Sequence, residues 1–395
     1  MTGADRGRVL VRGRVATSLL FLLFGVALGT WTARIPAVKD RLHLSDGQLS
    51  LALLAFAVGA IVGMALLGRA VDRVGSTAVM VPAAAGECVL LVPPAFMPGL
   101  PALAAALLAF GMVHGTLNVA MNASAVEVQR AWKRPIMSSF HAVYSIGGLI
   151  GAATGGLFAR AGVSAGLTFI WVGAVLVLLA AWAAWWAPPP GLAPAGGSGP
   201  AGGSGPAAPD RAVSRRSYAL LLLGVLALCA LVGEGAAADW SAVYLHDTLG
   251  STAGFAASGY AAFSVMMAAG RLAGDRLTVR YGAVNLVRAS GVLAGLGLGA
   301  ALLIATPFAG VLGFGCLGGG LSFIAPQVYS AAGNRDPARA GRALSTVVSI
   351  GYAGFVAGPV LIGSVSTAVG LRVALGIPAA LALAVAAGAP ILRAA

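Results

Sequence analysis

The chain alternates between long apolar runs and short polar segments. Twelve runs are long enough to cross the apolar core of a bilayer, which takes about 20 residues of α-helix. The first run resembles a signal peptide, but eleven similar runs follow it, so we interpret it as a retained transmembrane helix that follows a short basic tail over residues 1–14. The pattern predicts helices over 15–37, 47–67, 77–97, 100–127, 136–160, 165–187, 217–245, 252–272, 283–305, 307–332, 342–368 and 371–393.

A segment in the middle of the chain breaks this pattern. Residues 188–216 contain Pro188-Pro189-Pro190, two Ala-Gly-Gly-Ser-Gly-Pro repeats and then three arginines. Such a composition is typical of a flexible linker that cannot form a packed core. The sequence therefore predicts an all-α membrane protein made of two six-helix bundles, 1–187 and 217–395, joined by a cytoplasmic linker over 188–216.

A charged segment occurs at the same place in each half. Gly68-Arg69-Ala70-Val71-Asp72-Arg73-Val74-Gly75 separates the second and third apolar runs, and Gly270-Arg271-Leu272-Ala273-Gly274-Asp275-Arg276 follows the eighth. Glycines permit a tight turn, so we expect a short hinge loop in each half. The repetition in register indicates a duplicated membrane fold. Each half has an even number of helices, which predicts a pseudo-two-fold axis along the membrane normal.

The composition excludes a soluble globule. The 395 residues are 59% hydrophobic and 9% charged, whereas a soluble domain carries about 25% charged residues. The net charge of +13 would suggest nucleic acid in a soluble protein, but here the cations lie in short loops without interleaved aromatics. A cytoplasmic N-terminus leaves only five of the 25 Lys and Arg outside, which predicts cytoplasmic termini in the inner membrane; the five are Arg34, Lys39, Arg41, Arg160 and Arg372.

The chain resembles the major facilitator superfamily over essentially its whole length. The duplicated charged segment is similar to that superfamily's loop motif, although Ser76 and Thr77 stand where basic residues often follow the glycine. Several stretches resemble the fucose-permease-like branch with its bacterial inner-membrane members: Trp31-Thr32-Ala33-Arg34-Ile35-Pro36, Asn118-Val119-Ala120-Met121-Asn122, Ser138-Ser139-Phe140-His141 and Ala238-Asp239-Trp240-Ser241. The resemblance implies secondary transport by alternating access, often coupled to protons.

Polar side chains on the fourth predicted helix form the first candidate binding site. His114, Asn118 and Asn122 follow one another at spacings of four, so they share one helix face. Because polar groups are unsatisfied in lipid, this face should point inward, either as a ligand-binding wall or as a helix–helix contact. Trp31, Trp240 and Tyr260 are candidates to stack on a flat ligand such as a sugar ring, the alternative being interface anchors.

Few ionisable residues lie within the apolar runs, and each is a candidate for proton coupling or gating. Glu234, between two glycines, is the first candidate for the coupling group, and His141 suits a proton relay because imidazole titrates near neutral pH. We expect Arg34 to meet Asp239 when the outside is closed, unless Arg34 extends to the outer surface. Glu87 is expected to be structural, with proton coupling as the alternative.

The two hinge aspartates suggest a gate. Asp72 and Asp275 can pair with nearby arginines and with helix N-termini of the opposite half, where the helix dipole favours negative charge. That contact would hold the outward-open state. The remaining candidates of the loop motif are Gly68, Arg73, Gly75, Gly270 and Arg276.

The leading interpretation is a proton-coupled, monomeric carrier for a small polar solute of the sugar or organic acid class. A proton-driven exporter of amphipathic drugs or metabolites is one alternative, although the fifth predicted helix lacks the Gly-Pro signature of many drug antiporters. A non-transporting membrane sensor or scaffold is another. We expect no enzymatic activity, no cofactor, no metal and no nucleic-acid partner, since no nucleophile–base pair, cofactor loop or metal-ligand spacing is present.

Overall fold

A computed structural model describes residues 3–44, 46–187 and 211–394, and most of the predicted linker lies outside these ranges. The described residues form helices joined by short turns, with no strand among them. The helices are α1 (Gly3–Arg41), α2 (Asp46–Val74), α3 (Ser76–Leu90), α4 (Leu100–Trp132), α5 (Met137–Arg160), α6 (Ala165–Trp185), α7 (Arg211–Val243), α8 (Ala253–Tyr281), α9 (Ala283–Ile304), α10 (Pro307–Leu321), α11 (Ile324–Arg335), α12 (Ala340–Val369), α13 (Leu371–Ala374) and α14 (Gly376–Gly388).

Eleven helical segments of the described chain are long and apolar enough to cross a membrane. The remaining predicted span corresponds to α8, a helix of 29 residues with four charged side chains in its last third. The tenth predicted span consists of α10 and α11, which meet at Ser322 and Phe323. Pro326 explains this break, because proline donates no backbone hydrogen bond and its ring clashes with the carbonyl four residues earlier.

The described residues cluster into two compact units. The first comprises residues 3–44, 46–134, 140–187 and 336–345, and the second comprises 135–139, 211–335 and 346–394. These units follow the predicted halves except for two short segments, each at the start of a helix. Residues 336–345 pack with the first unit, and residues 135–139 pack with the second.

Glycine pairs bring helices of the first unit into close contact. Gly59 and Gly63 of α2 lie against backbone carbonyls of α4, while Gly111 and Gly115 of α4 lie against backbone carbonyls of α2. A Cβ at any of these positions would overlap the facing carbonyl oxygen. Small residues at four-residue spacing let membrane helices approach backbone to backbone, where lipid gives no hydrophobic drive for packing.

The second unit repeats this arrangement with its own helices. Gly318 of α10 lies against the Phe263 carbonyl of α8, and Gly291 and Gly295 of α9 lie against α14. The α8–α10 contact stands in the same place in its half as the α2–α4 contact does in the first. The duplication that the charged segments indicated therefore extends to the helix packing.

The expected hinge loops are wrong, because the charged segments are helical. Helix α2 continues through Asp72 to Val74, and α8 continues past Asp275 to Tyr281. The turns are made by one glycine each, Gly75 with φ 90° and Gly282 with φ 77°. A helix that extends beyond the bilayer core can carry charges on its last turns, so charge alone did not mark the helix end.

Two further boundaries differ from the sequence prediction. The predicted basic tail before residue 15 is largely part of α1, which begins at Gly3, and the predicted linker ends earlier than expected, since α7 begins at Arg211. Arginine is a good helix former, so a basic segment next to an apolar helix can extend that helix beyond the membrane.

Candidate functional site

The two asparagines of α4 form a buried hydrogen-bonded pair in the first unit. The Asn122 Nδ2 donates to the Asn118 Oδ1 at 3.0 Å and to the Asn118 carbonyl at 2.8 Å. Asn118 is 8% exposed and Asn122 1% exposed. The Asn122 Oδ1 has no hydrogen-bond partner among the described residues. This amide pair has unused acceptor capacity, which suits a solute hydroxyl.

His114 continues the same helix face but is fully enclosed. Its Nδ1 lies 2.7 Å from the Oε1 of Glu87 on α3, and neither side chain has exposed surface. Phe24 stacks on the imidazole with ring centroids 3.9 Å apart, and Phe56 lies 5.2 Å away. His114 therefore cannot touch a solute in this conformation. Sequence reasoning missed the Glu87–His114 pair, since nothing in the spacing of α3 and α4 sets their register.

The candidates on α1 and α5 are also packed inside the first unit. Trp31 is 3% exposed and packs on Phe169 of α6 at 5.9 Å, so it fills the helix interface. The Arg34 Nη2 donates to the Val163 carbonyl at 2.6 Å. His141 is largely buried with its ring 5.4 Å from that of Phe21. The expected pairing of Arg34 with Asp239 stays a prediction.

The second unit contains an acidic and basic pair on facing helices. The Glu234 Oε1 of α7 lies 3.7 Å from the Arg271 Nη2 of α8, and Arg271 is buried. Tyr260 and Asp239 are exposed residues of the same unit. The glycines beside Glu234 do not interrupt α7. Arg271, expected in a loop, instead stands inside the unit as the counter-charge of Glu234.

We expect Glu234→Gln to lower the stability of the second unit by about 1 kcal/mol, because it removes a counter-charge of a buried guanidinium. The loss stays below the roughly 3–5 kcal/mol of a fully buried pair, because the Glu234 side chain is 29% exposed. Thermal unfolding in lipid nanodiscs measures the change. Asp247→Asn, which alters an exposed carboxylate, is the control, and an unchanged midpoint in Glu234→Gln would show that the pair contributes nothing.

Trp240 is the aromatic candidate with an unused polar group. Its indole Nε1 is buried and has no acceptor among the described residues. The indole ring lies over Gly363 of α12, whose lack of a side chain leaves room for it. Buried tryptophan N–H groups usually have a partner, so this donor is available to a ligand or an ordered water.

The aspartates of the charged segments each cap another helix. The Asp72 carboxylate accepts hydrogen bonds from the backbone N–H of Gly341 at 2.7 Å and of Arg342 at 3.0 Å, at the N-terminus of α12 and within the first unit. Both carboxylate oxygens of Asp275 accept from the Ser139 N–H at 3.2 Å, at the N-terminus of α5 and within the second unit. A helix N-terminus carries free N–H donors and positive potential, so a carboxylate is a matched partner.

Gly68, Gly270 and Gly274 of these segments serve close approach, whereas Gly75 makes the turn after α2. A Cβ at Gly68 would collide with Ser345 of α12, and a Cβ at Gly274 would collide with Ser138 of α5. Gly270 lies in the same way against Ser322. The arginines that follow the aspartates, Arg73 and Arg276, are exposed. Glycine and aspartate thus form one docking element, which occurs once in each unit.

Comparison with known proteins agrees with this architecture. A family model described as Major Facilitator Superfamily matches residues 16–340. An "Uncharacterized transporter y4wD" of Sinorhizobium fredii is 35% identical over 375 residues, which cover 94% of this chain and 96% of that protein. The FucP transporter in its outward conformation has a TM-score of 0.78 at 18% identity, with 96% of this chain and 98% of FucP covered. A second structure, of a variant of the E. coli Fucose:proton symporter FucP, has a TM-score of 0.75 at 16% identity, with 96% and 98% covered.

Proposed function

Because this chain belongs to the Major Facilitator Superfamily, we propose that it moves a small polar solute of the sugar or organic acid class across the cytoplasmic membrane. It works as a monomer by alternating access, with both termini in the cytoplasm, and protons drive the solute. Asp72, Asp275 and the glycines beside them form the gate, while Asn118 and Asn122 of the first unit bind the solute.

The paired helix caps carry this proposal. Alternating access requires contacts that hold one state and break in the other, with a difference of only a few kcal/mol between the states. Asp72 of α2 caps α12, and Asp275 of α8 caps α5. Both contacts are charge-assisted hydrogen bonds from backbone N–H groups to the carboxylate. Each bond of this kind contributes roughly 1.5–3 kcal/mol, which is strong enough to hold a state and weak enough to release it.

A polar solute fits the unused hydrogen-bonding groups. The Asn122 Oδ1 can accept a hydrogen bond and has no partner among the described residues. Hydroxyl groups of a sugar both donate and accept hydrogen bonds, so such a solute can pair with this amide. FucP, which shares the fold, is described as a fucose:proton symporter, so fucose is the first solute to test.

The test is proton movement in proteoliposomes that contain the full chain. Internal pH is recorded while sugars, organic acids and amphipathic drugs are added outside, with protein-free liposomes and an uncoupler as controls. We expect acidification with a sugar or an organic acid. Alkalinisation of proton-loaded vesicles by a drug would replace the proposal with the exporter. No uptake of any labelled solute would reject transport of these classes and favour a sensor.

A further inference from the structure

An ionisable pair lies fully buried in the first unit, apart from the amide pair and the helix caps. Glu87 of α3 and His114 of α4 are each 0% exposed, with the Oε1 and Nδ1 2.7 Å apart. Removing two ionisable groups from water costs several kcal/mol per charge, and well-packed apolar residues often replace a buried pair without loss of stability. Packing alone therefore gives no reason for this pair inside a membrane helix bundle.

Aromatic rings from three helices surround the imidazole. Phe24 of α1 stacks on it at 3.9 Å, Phe56 of α2 lies 5.2 Å away, and Phe110 of α4 meets it edge-on at 6.2 Å. These rings separate the pair from water in this conformation. A net charge on the pair is disfavoured in such an enclosure, so the site suits the neutral pair, which has one proton between Nδ1 and Oε1 and a second proton on Nε2 or Oε2.

Two other titratable side chains adjoin this enclosure. Cys88 follows Glu87 on α3, and its thiol donates to the Ala84 carbonyl at 3.0 Å. Tyr144 of α5 lies behind Phe24, with ring centroids 5.6 Å apart. Neither supplies a countercharge at neutral pH, because an ordinary thiol and phenol are both neutral there.

Each residue of the pair has one polar atom without a hydrogen bond. The Glu87 Oε2 and the His114 Nε2 are buried and have no hydrogen-bond partner among the described residues. A purely structural pair is expected to have such atoms satisfied, because an unsatisfied polar atom in the interior destabilises the fold. If water reaches the pair in another conformation, a proton can enter or leave through these two atoms.

We propose that the Glu87–His114 pair is the proton-binding site of this carrier. The inference deepens the proposed function and rests on it. One proton leaves from the Nε2 of His114 or the Oε2 of Glu87 to water, the proton between Nδ1 and Oε1 stays, and the pair keeps one negative charge. That charge is unfavourable between the phenylalanine rings, so the pair must take up a proton before the site closes again. Asn118 lies one helical turn from His114 on the same face, which links solute binding to this step.

The transport test uses Glu87→Gln and His114→Gln in proteoliposomes, with fucose first and then the other solutes of the panel. We expect both variants to exchange labelled solute across the membrane at no less than about a third of the wild-type rate. Solute-driven acidification should fall at least tenfold, because exchange needs no net proton movement. Glu127→Gln, which alters a partly buried carboxylate bonded to Ser76, is the matched control and should keep the wild-type ratio of protons to solute.

The outcomes separate this inference from the proposed function. Acidification at the wild-type ratio in both variants overturns the proton site and leaves the carrier intact. Solute uptake without acidification in the wild-type protein shows that protons are not coupled to the solute. This result overturns the proton site as well. If the wild-type protein takes up no solute, the proposed function fails. The NMR measurement described next then decides whether the pair binds and releases a proton.

Nitrogen NMR of histidine-labelled protein tests the pair without any solute. The chain has four histidines, His43, His114, His141 and His246, so the His114→Gln variant assigns its signal directly. We expect the ring signals of His114 to respond to pH in the wild-type protein and to respond differently in Glu87→Gln, because a negative partner stabilises the imidazolium. A His114 signal that keeps one protonation state throughout shows a fixed hydrogen bond and overturns the inference.

Discussion

Asp72→Asn and Asp275→Asn should each weaken the cap on the helix N-terminus that the aspartate contacts. An asparagine amide can still accept a hydrogen bond, but it brings no negative charge to the helix dipole. Loss of about 1.5 kcal/mol at each cap corresponds to roughly tenfold faster exchange of the capped amides. Hydrogen exchange followed by mass spectrometry over Ser139 and over Gly341 with Arg342 measures this effect without a solute.

The double variant should lose more than either single one. If both caps hold the same state, their losses add, and the initial rate of solute uptake in Asp72→Asn/Asp275→Asn should fall at least tenfold. Asp247→Asn is the matched control, since that carboxylate is 65% exposed and bonds to His246 beside it. Unchanged protection at Gly341 in Asp72→Asn would show that the cap does not hold α12.

Gly115→Ala should have the largest effect on stability. The added Cβ would overlap the Ala60 carbonyl oxygen of α2, and neither backbone can move without opening the α2–α4 crossing. Overpacking of this kind costs typically 1–3 kcal/mol, and the backbone-to-backbone contact places the expected loss at about 3 kcal/mol. The yield of monodisperse protein and the midpoint of thermal unfolding in detergent measure it.

Gly156→Ala is the matched control for that substitution. Gly156 lies in helix α5, and a Cβ built there meets nothing within 4 Å. Alanine is a better helix former than glycine, so this variant should be as stable as the wild type or more stable by about 0.5 kcal/mol. Gly318→Ala, at the equivalent α8–α10 crossing, should resemble Gly115→Ala. Equal stability of Gly115→Ala and Gly156→Ala would mean that the helices are not in close contact at Gly115.

The two predictions test different properties of the repeat. The glycine crossings hold each unit together, and the aspartate caps form the proposed gate. Both features are duplicated, because each unit is built from the same order of helices. If the proposed function is correct, the close crossings keep each unit rigid while the caps open and close.

The Glu87–His114 pair shows why a buried site is difficult to predict from sequence. A regular spacing placed His114 with Asn118 and Asn122 on one face of α4, but the partner of His114 comes from another helix. Glu87 stands alone in its apolar run, so nothing along the chain connects it to position 114. The register between α3 and α4 joins them, and that register depends on how the two helices pack.

The sequence by itself determined the membrane class, the succession of apolar helices and the duplication, because hydropathy and repeated motifs depend only on local composition. It also identified Asp72 and Asp275 as partners for helix N-termini. Only the tertiary structure decided which helices those were, that the charged segments are helical, and that Trp31 packs in a helix interface. It also gave Glu234 and His114 their partners, Arg271 and Glu87. Such pairings depend on which helix faces meet, and that is fixed by side-chain packing between segments far apart in the chain.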